Sequence, residues 1–126
     1  MDIFIIYESY IIYCKSVKKI FLVIRMNDRI EIAREFAKSI KSDNIVQIIL
    51  YGSVARGEDT EESDIDILII SPVADEIRKD IISLAVDIVL EKEEVISPML
   101  MTPEHFNKTK DYPFLTNVLE EGVVIG

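Results

Sequence analysis

The sequence has little cysteine, glycine, proline and tryptophan: one Cys, four Gly, four Pro and no Trp among 126 residues. The single cysteine, Cys14, excludes a disulfide within the chain and is typical of a cytoplasmic protein. No uncharged apolar run reaches the roughly 18 residues of a membrane span, so we expect no membrane insertion. The first residues also lack the features of a signal peptide.

Basic residues are scarce as well, with 14 Lys and Arg against 23 Asp and Glu and a net charge of −9. Such a chain has no broad basic face that could neutralise nucleic-acid phosphates, so we expect no direct nucleic-acid binding. A single nucleotide is a different ligand, because metal ions and backbone amides can bind it locally.

The length and pattern predict one domain over residues 26–126, preceded by an N-terminal extension of uncertain structure over residues 1–25. The extension is rich in Tyr and Ile and has neither a helical nor a strand period. A strand pair, a packed helix, or an upstream segment before a natural start at Met26 would each fit it.

Hydrophobic periodicity predicts an α/β domain, a small mixed sheet flanked by helices that pack mainly on one face. A first helix has Asn27 or Asp28 as its N-cap. The three main strands lie near residues 45–51, 65–71 and 95–101, short helices lie near 103–110 and 113–122, and a short strand ends the chain.

Residues 73–94 contain "AVDIVL", which could be taken for a strand. The helical period argues otherwise, since apolar residues share one stripe and polar residues the opposite one. The predicted apolar stripe comprises Ile77, Ile81, Leu84, Ala85, Ile88 and Val89. This interpretation places Asp87 on the solvent side of a helix.

Two aspartates begin the second strand, in "SDIDILII". Residues two apart in a strand point to the same face, so Asp64 and Asp66 present their carboxylates together while Ile65 and Ile67 point into the core. Neighbouring carboxylates repel each other unless a cation lies between them. Mg²⁺ suits that position, because it binds one or two carboxylates together with substrate phosphates.

The segment "YGSVARG" precedes this pair by about a dozen residues. Gly52 allows the backbone to approach a phosphate closely, and the backbone amides and the hydroxyl of Ser53 can donate hydrogen bonds to it. The two parts together are those that nucleotidyl transfer needs. The alternative is a solvated polar start to the strand.

The whole stretch "GSVARGEDTEESDIDILII" resembles the signature of the polymerase-β-type nucleotidyltransferase superfamily, and in particular its minimal nucleotidyltransferase branch. The resemblance implies that two Mg²⁺ ions bind Asp64 and Asp66, which are then also the catalytic residues. It implies that Gly52 and Ser53 hold the triphosphate of ATP or another NTP. Arg56 would contact the phosphates, or else be a solvated loop arginine.

Members of this superfamily usually carry a third carboxylate on the next strand. Asp87 would be that carboxylate if "AVDIVL" were a strand, but it lies on the predicted helix, and the predicted strand "VISPMLM" offers only Ser97 near that place. Glu93 or Glu94 could reach the site from the segment before the strand. We interpret the acidic run 58–62 as a mobile, solvated loop.

The resemblance implies transfer of a nucleoside monophosphate, AMP in the first instance, to a hydroxyl, which could belong to a partner protein. Minimal nucleotidyltransferases resemble one half of two-component pairs whose other half is a helical HEPN protein, so an antitoxin role is implied too. The alternative is a weak or inactive nucleotide-binding subunit that acts by binding such a partner. An antibiotic-modifying transferase would usually have an added helical domain. The acceptor, the NTP preference and a homo-oligomeric state stay open.

Overall fold

A computed structural model describes the backbone of residues 3–7, 10–14 and 17–126, and the side chains of residues 28–126. The described residues form six strands and five helices. In chain order they are β1 (Ile3–Tyr7), β2 (Tyr10–Cys14), α1 (Val17–Ile40), β3 (Gln47–Tyr51), α2 (Gly52–Arg56), β4 (Ile65–Ile70), α3 (Ala74–Lys92), β5 (Ile96–Met101), α4 (Pro103–Thr109), α5 (Pro113–Glu121) and β6 (Val123–Val124). The predicted α/β class, a small mixed sheet flanked by helices, is confirmed. None of the described helices combines the length and apolar character that a transmembrane span requires.

The N-terminal part contains an antiparallel pair of strands, with Ile3 opposite Cys14 and Tyr7 opposite Tyr10. Helix α1 then runs from Val17, so the prediction that Asn27 or Asp28 caps its start is wrong. The physical reason is that residues 17–40 contain neither Gly nor Pro, and a residue that favours caps is also tolerated inside a helix. The helix crosses the predicted boundary at residue 25, and the division there stays a prediction.

The main sheet has four strands in the order β5-β4-β3-β6. Strand β4 is antiparallel to β3 and parallel to β5, so the sheet is mixed. In the register, Tyr51 lies opposite Asp66, and Asp66 lies beside Ser97. Three strands therefore bring the three residues side by side at one end of the sheet.

Both faces of the sheet are covered. Helices α1 and α3 pack against the face that carries Ile65, Ile67 and Ile69, whereas α4 and α5 pack against the opposite face. The prediction of helices mainly on one face is thus wrong for α4 and α5. Strand β4 explains this arrangement, since Ile67 and the next residue, Leu68, are both fully buried and point to opposite faces.

The segment after β4 is the predicted helix, α3, and not a strand. Ile81 and Ala85 of the predicted apolar stripe are buried, while Asp87 is exposed as predicted. Leu84 departs from the prediction, because it lies at the edge of the stripe with 36% of its surface exposed.

Candidate active site

The turn from β3 into α2 contains no loop residues. Strand β3 ends at Tyr51 and helix α2 begins at Gly52, whose φ is +74°. Tyr51 occupies the N-cap position without making a side-chain capping hydrogen bond. Because the first amides of a helix have no partner within it, the N–H groups at Gly52 and Ser53 are suited to bind an anion.

Gly52 lies directly against Asp66, the residue paired with its neighbour Tyr51 in the sheet. A Cβ atom built at residue 52 would come within 2.3 Å of Oδ2 of Asp66. Only glycine fits there, for reasons of space and of backbone conformation. The structure therefore places the predicted phosphate turn and one predicted metal ligand in contact.

The charges around Asp66 do not balance. Burial and the nearby carboxylate of Asp64 raise the pKa of Asp66, and Arg56 opposes this shift. Burial and the charge of Asp66 likewise raise the pKa of Tyr51. Asp66 is half-buried and Asp64 is exposed. The two carboxylates thus interact unfavourably, and a cation between them would relieve the repulsion.

Ser97 joins the site from β5. Its hydroxyl lies 3.2 Å from Oδ2 of Asp64, to which it donates a hydrogen bond, and its backbone lies beside Asp66 in the parallel ladder. This is the position at which the next strand could present a third carboxylate, and the chain has a hydroxyl there.

The other acidic residues considered from the sequence lie elsewhere. Glu93 is exposed at the end of α3, and Glu94 forms an ion pair of 3.0 Å with Arg29. Asp59 forms a second ion pair with Arg29, at 2.9 Å, and only 3% of its side chain is exposed. The prediction of a solvated loop over residues 58–62 is therefore wrong at Asp59. Sequence reasoning missed Arg29, although its spacing from Ala33 and Phe36 places it on the buried stripe of α1.

Arg56 lies at the C-terminal end of α2, where its side chain is exposed. Its positive charge acts to lower the pKa of Asp66. It forms ion pairs with Glu121 of α5 at 2.8 Å and with Glu58 at 3.0 Å. Its hydrogen bonds to Glu121 and then Glu58 raise its pKa. Arg56 can contact a phosphate only if its ion pairs with Glu121 and Glu58 break.

Among residues with described side chains, no three or more His, Cys, Asp and Glu groups converge as a ready-made metal centre. The arrangement fits Mg²⁺ in another way, because this ion is commonly bound by one or two carboxylates and completes its shell with substrate phosphates and water. Asp64 and Asp66 supply the carboxylates, and the turn at Gly52 and Ser53 lies next to Asp66, where phosphates would bind.

Comparison with known proteins identifies one domain model, the nucleotidyltransferase domain, which matches residues 30–124. Two proteins of Methanocaldococcus jannaschii, both named "putative protein adenylyltransferase", are similar to most of the chain. One is 43% identical over 95 residues, which cover 73% of this chain and 92% of the relative. The other is 37% identical over 102 residues, which cover 76% of this chain and 97% of the relative. A crystal structure of a Sulfolobus solfataricus protein named "putative nucleotidyltransferase" aligns with 87% of each chain at 23% identity and a TM-score of 0.43.

Proposed function

The chain belongs to the nucleotidyltransferase domain family, and we propose that it transfers AMP from ATP, with Mg²⁺, to a hydroxyl group of a partner protein. The contact between Gly52 and Asp66 carries this proposal, since it places a turn suited to anion binding against a carboxyl group whose pKa is raised by burial and by Asp64. The name of the two relatives supports adenylyl transfer to a protein.

Each residue of the site then has a task. The amides at Gly52 and Ser53 bind the triphosphate, and Asp64 and Asp66 hold the metal. Mg²⁺, when bound, neutralises charge on the phosphate oxygens and orients them. The acceptor hydroxyl attacks the α-phosphorus of ATP and gives up its proton to water. The new P–O bond to the acceptor replaces the bond between the α-phosphorus and the oxygen that bridges to the β-phosphorus, and pyrophosphate leaves with that oxygen. Arg56, whose charge acts on Asp66, would bind the phosphates after it releases Glu121 and Glu58.

We propose the cytoplasm as the place of this reaction, because ATP is the substrate and the chain has a single cysteine. A HEPN protein is the acceptor partner we propose, in the role of toxin to this antitoxin. Its proximity in the genome and its co-purification would be direct signs of that pairing.

A second function has one observation in its favour. Ser97 stands beside Asp66 where a third carboxylate would be expected, which favours a weak or inactive nucleotide-binding subunit that regulates its partner by binding alone. Such a subunit would bind Mg²⁺ and ATP without transferring AMP.

Labelled ATP distinguishes the two functions. The purified chain is incubated with α-³²P-ATP, Mg²⁺ and the protein that co-purifies with it, and label on protein is measured after denaturation. Transfer by the parent, and none by the Asp64→Asn/Asp66→Asn variant, supports the enzyme. If the native chain binds ATP in a metal-dependent way but no protein carries label after denaturation, the regulatory subunit is supported. If the chain neither binds ATP nor transfers label, both functions are contradicted.

A further inference from the structure

Arg29 is a buried cation with four partners. Only 1% of the residue is exposed. Its guanidinium forms ion pairs with Asp59 and Glu94 and donates hydrogen bonds to the backbone carbonyls of Thr60 and Glu61. The planar guanidinium can hold several oxygen acceptors in fixed directions, which an ammonium group cannot.

These partners belong to two segments that lead into the candidate active site. Glu61 lies three residues before Asp64, and Glu94 lies three residues before Ser97. The two segments meet again at their far ends, where Ser97 hydrogen-bonds to Asp64. One residue beyond Asp64, the amide of Ile65 donates a hydrogen bond to the carbonyl of Val95 at 2.8 Å.

A tight turn over residues 60–63 connects the part of the first segment that Arg29 contacts to Asp64. The amide of Thr60 donates to the hydroxyl of Ser63 at 2.9 Å, and the amide of Ser63 donates to the carbonyl of Thr60 at 3.1 Å. Arg29 holds this same carbonyl. These hydrogen bonds connect the guanidinium of Arg29 to Ser63, the residue that precedes Asp64.

We propose that Arg29 is a positioning residue of the active site, which fixes Asp64 against Ser97 by holding both segments that lead to them. The inference rests on the proposed function, because it assigns Arg29 to the metal and nucleotide site proposed above. Arg29 does not touch the substrate, and it acts through Asp64.

Removal of Arg29 alone would take the paired cation away from the buried carboxylate of Asp59 and break the ion pair with Glu94, which destabilises a fold strongly. The test therefore uses a neutral cluster, Arg29→Met with Asp59→Leu and Glu94→Met, since apolar replacements of a whole buried ion cluster are often tolerated. Arg29→Lys is the second variant and keeps the charge. Arg78→Gln is the matched control, because Arg78 forms only an exposed ion pair with Asp75.

Three quantities are measured on variants whose folding is verified by circular dichroism: the Kd of the Mn²⁺–ATP complex, and the kcat and KM of AMP transfer. Loss of a residue that orients a metal ligand typically costs tenfold to hundredfold in affinity or activity. We expect the neutral cluster to raise the Kd and lower kcat by at least about tenfold. Arg29→Lys should recover part of the loss, and Arg78→Gln should match the parent.

A folded neutral cluster, or a folded Arg29→Lys variant, with the parent's Kd and kcat would overturn the positioning role. The proposed function fails in a different way. A parent that binds Mn²⁺–ATP without transferring AMP is no transferase, and the Kd of the variants still decides on Arg29. A parent that does neither would overturn the positioning role together with the proposed function.

Discussion

Gly52 and Asp66 are in such close contact that a methyl group at residue 52 would come within 2.3 Å of Oδ2 of Asp66. The register of β3 and β4 sets this contact, because Tyr51 and Asp66 are opposite each other and the backbone turns into α2 one residue later. The contact brings the two separate sequence signals, the Gly-Ser turn and the aspartate pair, together in space.

The first prediction concerns Gly52→Ala, with Gly57→Ala as its control. Both glycines have positive φ, at 74° and 71°, but a Cβ at residue 57 meets nothing within 4 Å. Each variant should lose roughly 1–3 kcal/mol of stability because of its backbone conformation. Only Gly52→Ala should also displace Asp66 and weaken Mg²⁺–ATP binding by at least about tenfold. Calorimetry of both variants checks this, and equal ATP affinities would contradict it.

The second prediction concerns the pH dependence of stability without metal. The pKa of Asp66 is raised in the folded protein, so the folded state binds this proton more tightly than the unfolded state, in which the pKa is about 3.9. The stabilisation is complete below that value and is lost as pH rises through the raised pKa. Asp66→Asn should therefore be more stable than the parent at pH 7, with an advantage that shrinks toward pH 4. Urea unfolding in chelator measures it, and an advantage that grows on acidification would contradict the account.

The third prediction separates Arg56 from Glu121. Glu121→Gln removes one of the two carboxylates that hold Arg56, so the arginine becomes easier to recruit for phosphate binding. We expect the KM for ATP to fall about two- to fivefold, the range typical of an exposed ion pair. Arg56→Gln should raise the KM instead. Steady-state kinetics give the KM for ATP of the two variants. An unchanged KM in both would contradict this role of Arg56.

The fourth prediction restores the missing carboxylate. Ser97→Asp would place an acidic group beside Asp66, on the neighbouring strand, and next to Asp64. Without metal, the added repulsion should lower the Tm, and Mg²⁺ should raise it again with an affinity on the order of tenfold higher than in the parent. Ser97→Ala is the control, because it removes the hydrogen bond without adding charge. A Tm in chelator that equals the parent's would show that residue 97 points away from the aspartates.

The sequence was sufficient to predict those parts of the fold that depend on local patterns. The helical period of residues 73–94 predicts α3 and the exposed position of Asp87 against a tempting strand, and the sequence "DIDI" followed by an aliphatic run predicts β4. Both patterns arise from burial along a single element, so no knowledge of neighbouring elements is required.

Features that depend on tertiary pairing were missed. The ion pairs of Arg29 join residues that are 30 and 65 positions apart, so no local pattern shows that Asp59 is buried. The packing of α4 and α5 on the second face of the sheet is missed for a similar reason. Both helices are short, and their buried side chains can be recognised only from their contacts with the sheet. The start of α1 at Val17 was missed because a residue that favours caps does not by itself interrupt a helix.

Asp64 and Asp66, with the turn at Gly52, form the site that we propose for Mg²⁺ and ATP. The most direct measurement is the thermal shift of the chain on adding ATP with Mg²⁺ or with chelator, in the parent, in Asp64→Asn/Asp66→Asn, and in Asp87→Asn. Ligand at 100 times its Kd stabilises a fold by about 2.7 kcal/mol. The account predicts a Mg²⁺-dependent rise in Tm for the parent and Asp87→Asn, and none for the double variant, whose Tm in chelator is no lower than the parent's. An undiminished rise in the double variant, or its loss in Asp87→Asn, would contradict the claim.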